Sequence, residues 1–275
     1  MPELPEVETE RGRLAAHIEG KRIASARIDD ARLTRPDDPK VIAARIEGDR
    51  VTAVERRGKY IFIRFESGHV LLVHLRMTGG FRYDPATHER AVLELDDGTR
   101  IAYRDLRRFG TWALLEDDEA ERHLAIRNGP EPLGRKFTAA FLAGRFAKRK
   151  APLKAAILDQ RTVAGLGNIY ADEALWHARL NPLRAAGELS TEEIAALREG
   201  IRKALQLGIR RQGADLGDGA YAGGRMQKEF KVYGRDGEPC DRCGTPIVKT
   251  RVGGRGTWYC PTCAVDSKGH GQPDI

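Results

Sequence analysis

Four cysteines stand near the carboxyl end as two Cys-x2-Cys pairs, Cys240 with Cys243 and Cys260 with Cys263, separated by 16 residues. This spacing is typical of a zinc ribbon, in which two turns each give two thiolates to one tetrahedral ion. The alternative, two redox-active pairs, needs a thioredoxin-like βαβ context that the sequence lacks. We predict one Zn²⁺ with a structural role, because the protein fills all four ligand positions.

The segment between the cysteine pairs combines cations with glycines. Arg255 follows Gly253 and Gly254, and Lys249 and Arg251 precede them. Glycines allow close approach of another backbone, and an arginine at such a tip can clamp a phosphate. The alternative is a solvent-exposed turn with ordinary surface arginines.

Residues 153–176 predict two helices joined by a turn that contains Gly165 and Gly167, which is a DNA-binding geometry. Amides at a helix N-terminus attract phosphate, so Gly167 and Asn168 are candidates for a phosphate contact. The alternative is that Asn168 only caps the helix. A run of cations without an acid favours the phosphate contact. It consists of Arg145, Lys148, Arg149, Lys150 and Lys154.

The elements that position these residues change character along the chain. Apolar spacing predicts a helix from about residue 3 to residue 19, and short β-branched segments broken by Gly-containing turns predict antiparallel strands over 21–115. Beyond residue 134 helices are expected at 137–146, 153–158, 168–178 and 191–212. The expected fold is α+β and multidomain: an antiparallel β-sandwich with an N-terminal helix, a helical domain with a helix-two-turn-helix motif, and a zinc ribbon. The expected boundaries are 1–130, 131–234 and 235–264, with a tail at 265–275.

Composition narrows the class of partner. The chain has 275 residues, with 47 Lys and Arg against 40 Asp and Glu, a net charge of +7 and a pI near 9.3, which favours a polyanion. No apolar run approaches the roughly 18 residues of a membrane span, and the charged N-terminus lacks the apolar core of a signal peptide. We therefore expect a cytoplasmic protein without a membrane partner.

Six motifs in order across almost the whole chain carry a family resemblance. They are PELPEVET at 2–9, RRGKY at 56–60, HLRMTG at 74–79, RRFG at 107–110, GLGNIYADEAL at 165–175 and the zinc ribbon. Together they resemble the bacterial formamidopyrimidine-DNA glycosylases, the 8-oxoguanine DNA glycosylases and AP lyases of base excision repair.

The resemblance implies roles at the amino terminus. Once Met1 is removed, Pro2 would present a secondary amine that attacks the sugar C1′ and forms an iminium, and Glu3 would be the acid/base carboxylate. Lys59 would contact phosphate and assist release of the base. Glu6 and Tyr221 would lie in the lesion pocket. Successive β- and δ-elimination would follow.

The resemblance also implies a DNA interface to damaged duplex DNA, engaged by a monomer. Phe109 would wedge between base pairs, Met77 would fill the void left by the extruded base, and Arg107 would hydrogen-bond the orphaned cytosine. The other implied DNA contacts are His74, Lys154, Asn168 and Arg255.

One departure from the family pattern leaves alternatives open. The loop GADLGDGAYAGG at 213–224, expected to cap the extruded base, is shorter and richer in glycine than expected for the family. A related glycosylase for oxidised pyrimidines, similar to endonuclease VIII, is therefore the first alternative. A non-catalytic protein that binds damaged DNA is the second, although it would need neither a free Pro2 nor Glu3.

Overall fold

The structure is a computed structural model that describes residues 1–215, 217 and 223–264. The described residues divide into two compact units. The first comprises residues 1–126 and the described residues of 212–224, and the second comprises residues 127–211 and 225–264. The described residues after the last long helix, expected to belong with the helical domain, group with the first unit.

The first unit begins with helix α1, Leu4–Ile18. Its start is fixed by a capping box, in which the Glu3 side chain accepts from the backbone of Glu6 and the Glu6 side chain accepts from the backbone of Glu3. Pro5 in the first turn costs no helical hydrogen bond there. The predicted N-terminal helix is confirmed.

Two antiparallel four-stranded sheets follow α1, in the orders β1-β6-β7-β5 and β2-β3-β4-β8. Side chains from both sheets and from α1 join one apolar core, around Trp112, Tyr103 and Leu14. The expected β-sandwich is confirmed. The strands are β1 Ile23–Ile28, β2 Val51–Arg57, β3 Tyr60–Phe65, β4 His69–His74, β5 Gly79–Arg82, β6 Glu89–Leu95, β7 Arg100–Asp105 and β8 Thr111–Glu116.

Two helices interrupt the region where the sequence predicts strands or gives no clear signal. Helix α2, Pro39–Ile46, is capped by Asp38, whose side chain accepts from the Lys40 amide. Helix α3, Asp117–Arg127, buries only Ala120 and Leu124, so its apolar periodicity is weak. The sequence pattern does not predict α2 because that helix is short, and it does not predict α3 because that helix is mostly polar.

The second unit is helical up to the cysteine region. It contains α4 Ala139–Phe146, α5 Leu153–Leu158, α6 Asn168–Ala178 and α7 Thr191–Arg210, then the hairpin of β9 Val248–Val252 and β10 Arg255–Tyr259. An added Cβ at Gly200 would lie 2.5 Å from the Ala174 carbonyl oxygen, so glycine permits the close packing of α7 on α6. The expected helices are confirmed to within two residues at their ends.

Among the described residues, no helix is both long and apolar enough to cross a membrane.

Candidate functional site

The chain begins with an exposed Met1 and then enters a buried, charged environment. Pro2 is buried, and Glu3 is 3 % exposed. Burial lowers the pKa of the Met1 amino group below its ordinary 8.0, while the charges of Glu3 and Glu6 raise it and those of Lys59 and Arg107 lower it. The amino end of the chain is therefore within electrostatic reach of three of the side chains predicted to carry chemistry or to fill the lesion pocket.

Glu6 ties the start of α1 to the segment that follows α7. One carboxylate oxygen accepts from the Glu3 amide at 2.8 Å and the other from the Ala214 amide at 2.7 Å. Gly213 has a φ of +76°, and an added Cβ would lie 2.8 Å from the Glu6 side chain. Glycine is thus required at this approach. Tyr221, predicted beside Glu6 in the lesion pocket, lies outside the described residues.

Lys59 stands on the tight hairpin between β2 and β3. Arg57 pairs with Tyr60, so Gly58 and Lys59 form a two-residue turn. Gly58 has a φ of +58°, the left-handed conformation that hairpin turns require at their first central position. Arg56 fixes the turn by donating to the Gly58 carbonyl at 3.0 Å and to Glu8 at 2.9 Å. Lys59 itself is 6 % exposed.

His74 contributes to the shape of a turn. Its Nδ1 accepts from the Arg76 amide at 3.0 Å, and its ring packs edge-on against Tyr60. Burial, reinforced by the positive charges of Arg76 and Lys59, lowers the pKa of His74 to about 3. The imidazole is therefore neutral and holds the backbone that leads to Met77. Direct contact of His74 with DNA stays a prediction.

Arg107 and Phe109 lie together on the exposed loop after β7. Phe109 is 51 % exposed, and the Arg107 guanidinium lies 4.9 Å from the centre of its ring. Between them, Arg108 adopts a φ of +58° and donates to both carboxylate oxygens of Asp30, at 2.5 and 2.9 Å. This ion pair, absent from the motif-based prediction, anchors a loop whose two neighbouring side chains stay at the surface.

In the second unit, α5 and α6 form the predicted pair of helices, joined by two turns over residues 159–167. Gly167 is the N-cap, so the interpretation of Asn168 as a mere cap is wrong. Asn168 begins the helix, and its Nδ2 donates to the Gly256 carbonyl at 3.0 Å. It thereby touches the β9–β10 hairpin directly beside Arg255, which is exposed.

The phosphate contact predicted for Lys154 does not fit the structure. Its side chain is 0 % exposed, and Nζ lies 2.7 Å from Asp172 Oδ1. Nζ also donates to the Gly256 carbonyl at 2.7 Å and to the Thr257 hydroxyl at 3.0 Å. Lys154 therefore positions the hairpin instead of presenting its charge at the surface.

Two other cations of the basic run are also partly neutralised by one acid. Arg149 lies 3.3 Å and Arg145 3.7 Å from Asp159, which follows α5. Asp159 lies just beyond the run in sequence, so the run by itself looked unpaired. The signal that could have shown this pairing is the position of Asp159 directly after α5.

Two neighbouring acids on α6 were missed altogether. Asp172 accepts from the Trp258 amide at 3.1 Å as well as pairing with Lys154. Glu173 accepts from the backbone amides of residues 231, 232 and 233, at distances from 2.9 to 3.1 Å. Burial raises the pKa of both carboxyls, that of Asp172 to about 7. One helix thus anchors both the hairpin and the segment leading to the cysteines.

The four cysteines converge as the spacing predicts. Their sulfurs all lie within 4.8 Å of one another, with separations of 3.4 Å for Cys243 to Cys260 and 3.9 Å for Cys240 to Cys263. Zinc–sulfur bonds near 2.3 Å place tetrahedral sulfurs roughly 3.8 Å apart. The thiol set fits one Zn²⁺ with no open ligand position.

Comparison with known proteins matches three family descriptions along the chain. They are the formamidopyrimidine-DNA glycosylase N-terminal domain over residues 1–112, its H2TH domain over 128–218, and a zinc finger found in FPG and IleRS over 237–265. The formamidopyrimidine-DNA glycosylase of Roseiflexus sp. (strain RS-1) is 43 % identical over 272 residues, covering 96 % of this chain and 99 % of the relative. The chain belongs to the formamidopyrimidine-DNA glycosylase family.

Solved structures of this family share the fold. The Lactococcus lactis Fpg in complex with DNA that contains an abasic site is 34 % identical, with a TM-score of 0.89 over 96 % of this chain and 100 % of that one. MutM in complex with DNA that contains carbocyclic 8-oxo-G is 35 % identical, with the same TM-score and coverage. The predicted family and fold, including the zinc ribbon, are confirmed.

Proposed function

We propose that this formamidopyrimidine-DNA glycosylase excises oxidised purines, 8-oxoguanine and formamidopyrimidines, from duplex DNA and then cleaves the abasic strand. The observation that carries the proposal is the buried Pro2 at the amino end of the chain, where the charges of Glu3, Glu6, Lys59 and Arg107 act on the terminal amine. A nucleophile at a chain terminus needs such a setting, because its amine must be unprotonated to react.

Pro2 is the proposed nucleophile after removal of Met1. Burial lowers the pKa of the Met1 amino group, and a terminal amine on Pro2 would start from the same surroundings. Its nitrogen attacks C1′ and the bond from C1′ to the base breaks, so that the bonding electron pair and the proton of the attacking amine leave with the base. Glu3 then protonates the ring oxygen as the bond from C1′ to that oxygen breaks, which yields an iminium between Pro2 and the sugar.

Strand cleavage follows from the same intermediate. The iminium acidifies the C2′ proton, whose loss expels the 3′ phosphate, and a second elimination expels the 5′ phosphate. Lys59, held on the rigid β2–β3 turn, is proposed to bind phosphate and to assist release of the base.

Met77, Arg107 and Phe109 are proposed to occupy the space that the extruded base leaves. An enzyme that acts on a base within a duplex must rotate it out of the stack and stabilise the gap. Phe109, half exposed on its loop, suits an apolar wedge, and the adjacent Arg107 suits hydrogen bonds to the orphaned cytosine.

Asn168 and Arg255 are proposed to hold the phosphates that flank the lesion. Both belong to the second unit, where the Gly256 carbonyl accepts from Asn168 and follows Arg255 in sequence. The net charge of +7 supports a phosphate-rich partner. Lys154 is assigned to the support of this pair. The monomeric state and the cytoplasmic location expected from the sequence remain part of the proposal.

The proposed preference for purines is supported by similarity to a related protein, MutM, whose structure contains DNA with carbocyclic 8-oxo-G. Borohydride trapping on a duplex with 8-oxoguanine opposite cytosine tests it, beside a duplex with thymine glycol. We expect a covalent adduct with 8-oxoguanine that Pro2→Gly abolishes, whereas Pro5→Ala retains it because Pro5 never carries a free amine. An adduct only with thymine glycol would overturn the purine preference. No adduct with any damaged duplex, from protein lacking Met1, would overturn the activity.

A further inference from the structure

Two segments proposed to fill the DNA gap come from distant parts of the sequence but lie side by side. Met77 is in the turn before β5, and Arg107 and Phe109 are in the loop after β7. Strands β5 and β7 pair, with Gly79 opposite Asp105. The residues that immediately precede one strand and follow the other therefore meet at the same end of the sheet.

Thr78 links these two segments through its hydroxyl. The hydroxyl donates to Asp105 Oδ1 at 2.5 Å and accepts from the Arg107 amide at 2.9 Å. Thr78 is 2 % exposed, so water cannot readily replace either bond. The residue next to Met77 thus holds the backbone of Arg107.

Asp105 closes the other end of the loop. Its second oxygen, Oδ2, accepts from the Gly110 amide at 2.7 Å, and the residue is 1 % exposed. The loop 106–109 is consequently fixed by Thr78 near its start and by Asp105 at its end. The Asp105 carboxylate joins the two anchors, because it accepts from the Thr78 hydroxyl through one oxygen and from the Gly110 amide through the other.

Tyr103 shows how closely the two segments approach. An added Cβ at either Gly79 or Gly110 would overlap the Tyr103 hydroxyl, so both positions require glycine for space. The arrangement leaves little room for one segment to move without the other, while the Phe109 side chain remains 51 % exposed.

We propose that Thr78 is a positioning residue that makes Met77, Arg107 and Phe109 one preformed unit for filling the gap. The proposal rests on the function proposed above and assigns Thr78 no contact with the reacting atoms. Preorganised side chains lose less conformational freedom when DNA binds, and Arg107 reaches the orphaned base in one fixed orientation. Loss of the hydroxyl should therefore weaken both gap filling and recognition of the opposite base.

The test compares Thr78→Val, which keeps the shape but removes both hydrogen bonds, with Thr78→Ser, which keeps the hydroxyl. Single-turnover excision of 8-oxoguanine is measured opposite cytosine and opposite adenine. We expect Thr78→Val to lower the single-turnover rate constant opposite cytosine about tenfold, as for loss of a buried hydrogen bond, and to reduce the preference for cytosine over adenine. Thr78→Ser should retain wild-type rates and preference.

A second substrate distinguishes a failure of the role proposed for Thr78 from a failure of the proposed activity. A single strand with a preformed abasic site needs no gap filling, so wild type and Thr78→Val should give equal borohydride adducts on it. A valine variant with wild-type opposite-base preference, or a serine variant as impaired as valine, would overturn the role of Thr78. Absence of adduct with the wild type would overturn the proposed function and this inference together. Should Thr78→Val fail to fold, Thr78→Ala provides the same contrast with serine.

Discussion

In the first unit, the residues proposed for chemistry and gap filling stand on turns and at the chain terminus. They are held by hydrogen bonds that backbone amides donate to carboxylates. Glu6 binds two amides and Asp105 binds one. In the second unit, the proposed phosphate contacts depend on a four-thiolate site and a fully buried ion pair. A small hairpin has too little apolar core of its own, so it needs stronger supports than a loop on a sandwich.

The largest expected effect comes from breaking the thiolate site. Cys260→Ser removes a buried ligand, and zinc binding supplies roughly 10 kcal/mol or more of folding free energy to such domains. We expect loss of bound zinc from one ion per chain to none, and a loss of DNA affinity of at least about 100-fold, equivalent to about 2.7 kcal/mol. A zinc assay and a binding titration measure both. Thr262→Ala, a change at a neighbouring non-ligand, should keep its zinc.

The buried ion pair is the next largest support. Lys154→Met leaves Asp172 without its partner and should destabilise the protein by about 3–5 kcal/mol, measured by chemical denaturation. Lys154→Met with Asp172→Leu removes both charges and should recover most of this loss, because an apolar pair of similar volume can replace a buried ion pair.

The same variants distinguish a positioning role of Lys154 from a direct contact with phosphate. A positioning role predicts that the double variant regains DNA affinity along with stability. A direct phosphate contact of Lys154 would instead leave Lys154→Met as stable as wild type. It would make the slope of log K for DNA binding against log salt concentration shallower by about 0.9.

These two regions also show what the sequence could reveal. Cys240, Cys243, Cys260 and Cys263 were predictable because metal coordination imposes fixed local spacing, and the hairpin that carries Lys59 because its turn requires glycine. Lys154 was misassigned because its partner Asp172 lies on another helix, where only the tertiary fold brings it near. Thr78 carried no signal, since a hydroxyl that bonds a residue 27 positions away leaves no local pattern.

Protonation of His74 should have an intermediate effect, confined to the first unit. Burial lowers its folded pKa from 6.5 to about 3, so the unfolded chain binds the proton more readily. The contribution of neutral, buried His74 to the free energy of unfolding is fully present above pH 6.5. It is lost as the pH falls from 6.5 towards 3. From about pH 7.5 to about pH 5, the free energy of unfolding should fall by about 2 kcal/mol through this residue. The pH dependence of His74→Gln should be weaker by that amount, as seen by urea denaturation, and an unchanged dependence would contradict the burial argument.

The smallest expected effect comes from the ion pair that anchors the loop of Arg107 and Phe109. Asp30→Asn weakens a charge-assisted pair with Arg108, whose side chain is 41 % exposed. We therefore expect the free energy of unfolding to fall by about 1 kcal/mol or less. Excision opposite cytosine should slow by up to about fivefold, measured in single turnover. Asp29→Asn serves as the matched control, since Asp29 pairs with the exposed Arg27 and not, among the described residues, with Arg108. Equal slowing in both variants would remove Asp30 from loop positioning.

The central claim is that a free Pro2 amine attacks the damaged nucleotide. Its most direct test is mass spectrometry of the borohydride-trapped complex with 8-oxoguanine DNA, with the adduct located by peptide mapping. We expect an N-terminal peptide that lacks Met1 and carries the sugar remnant on the nitrogen of Pro2. An adduct mapped to Lys59, or to a peptide that still begins with Met1, would contradict it.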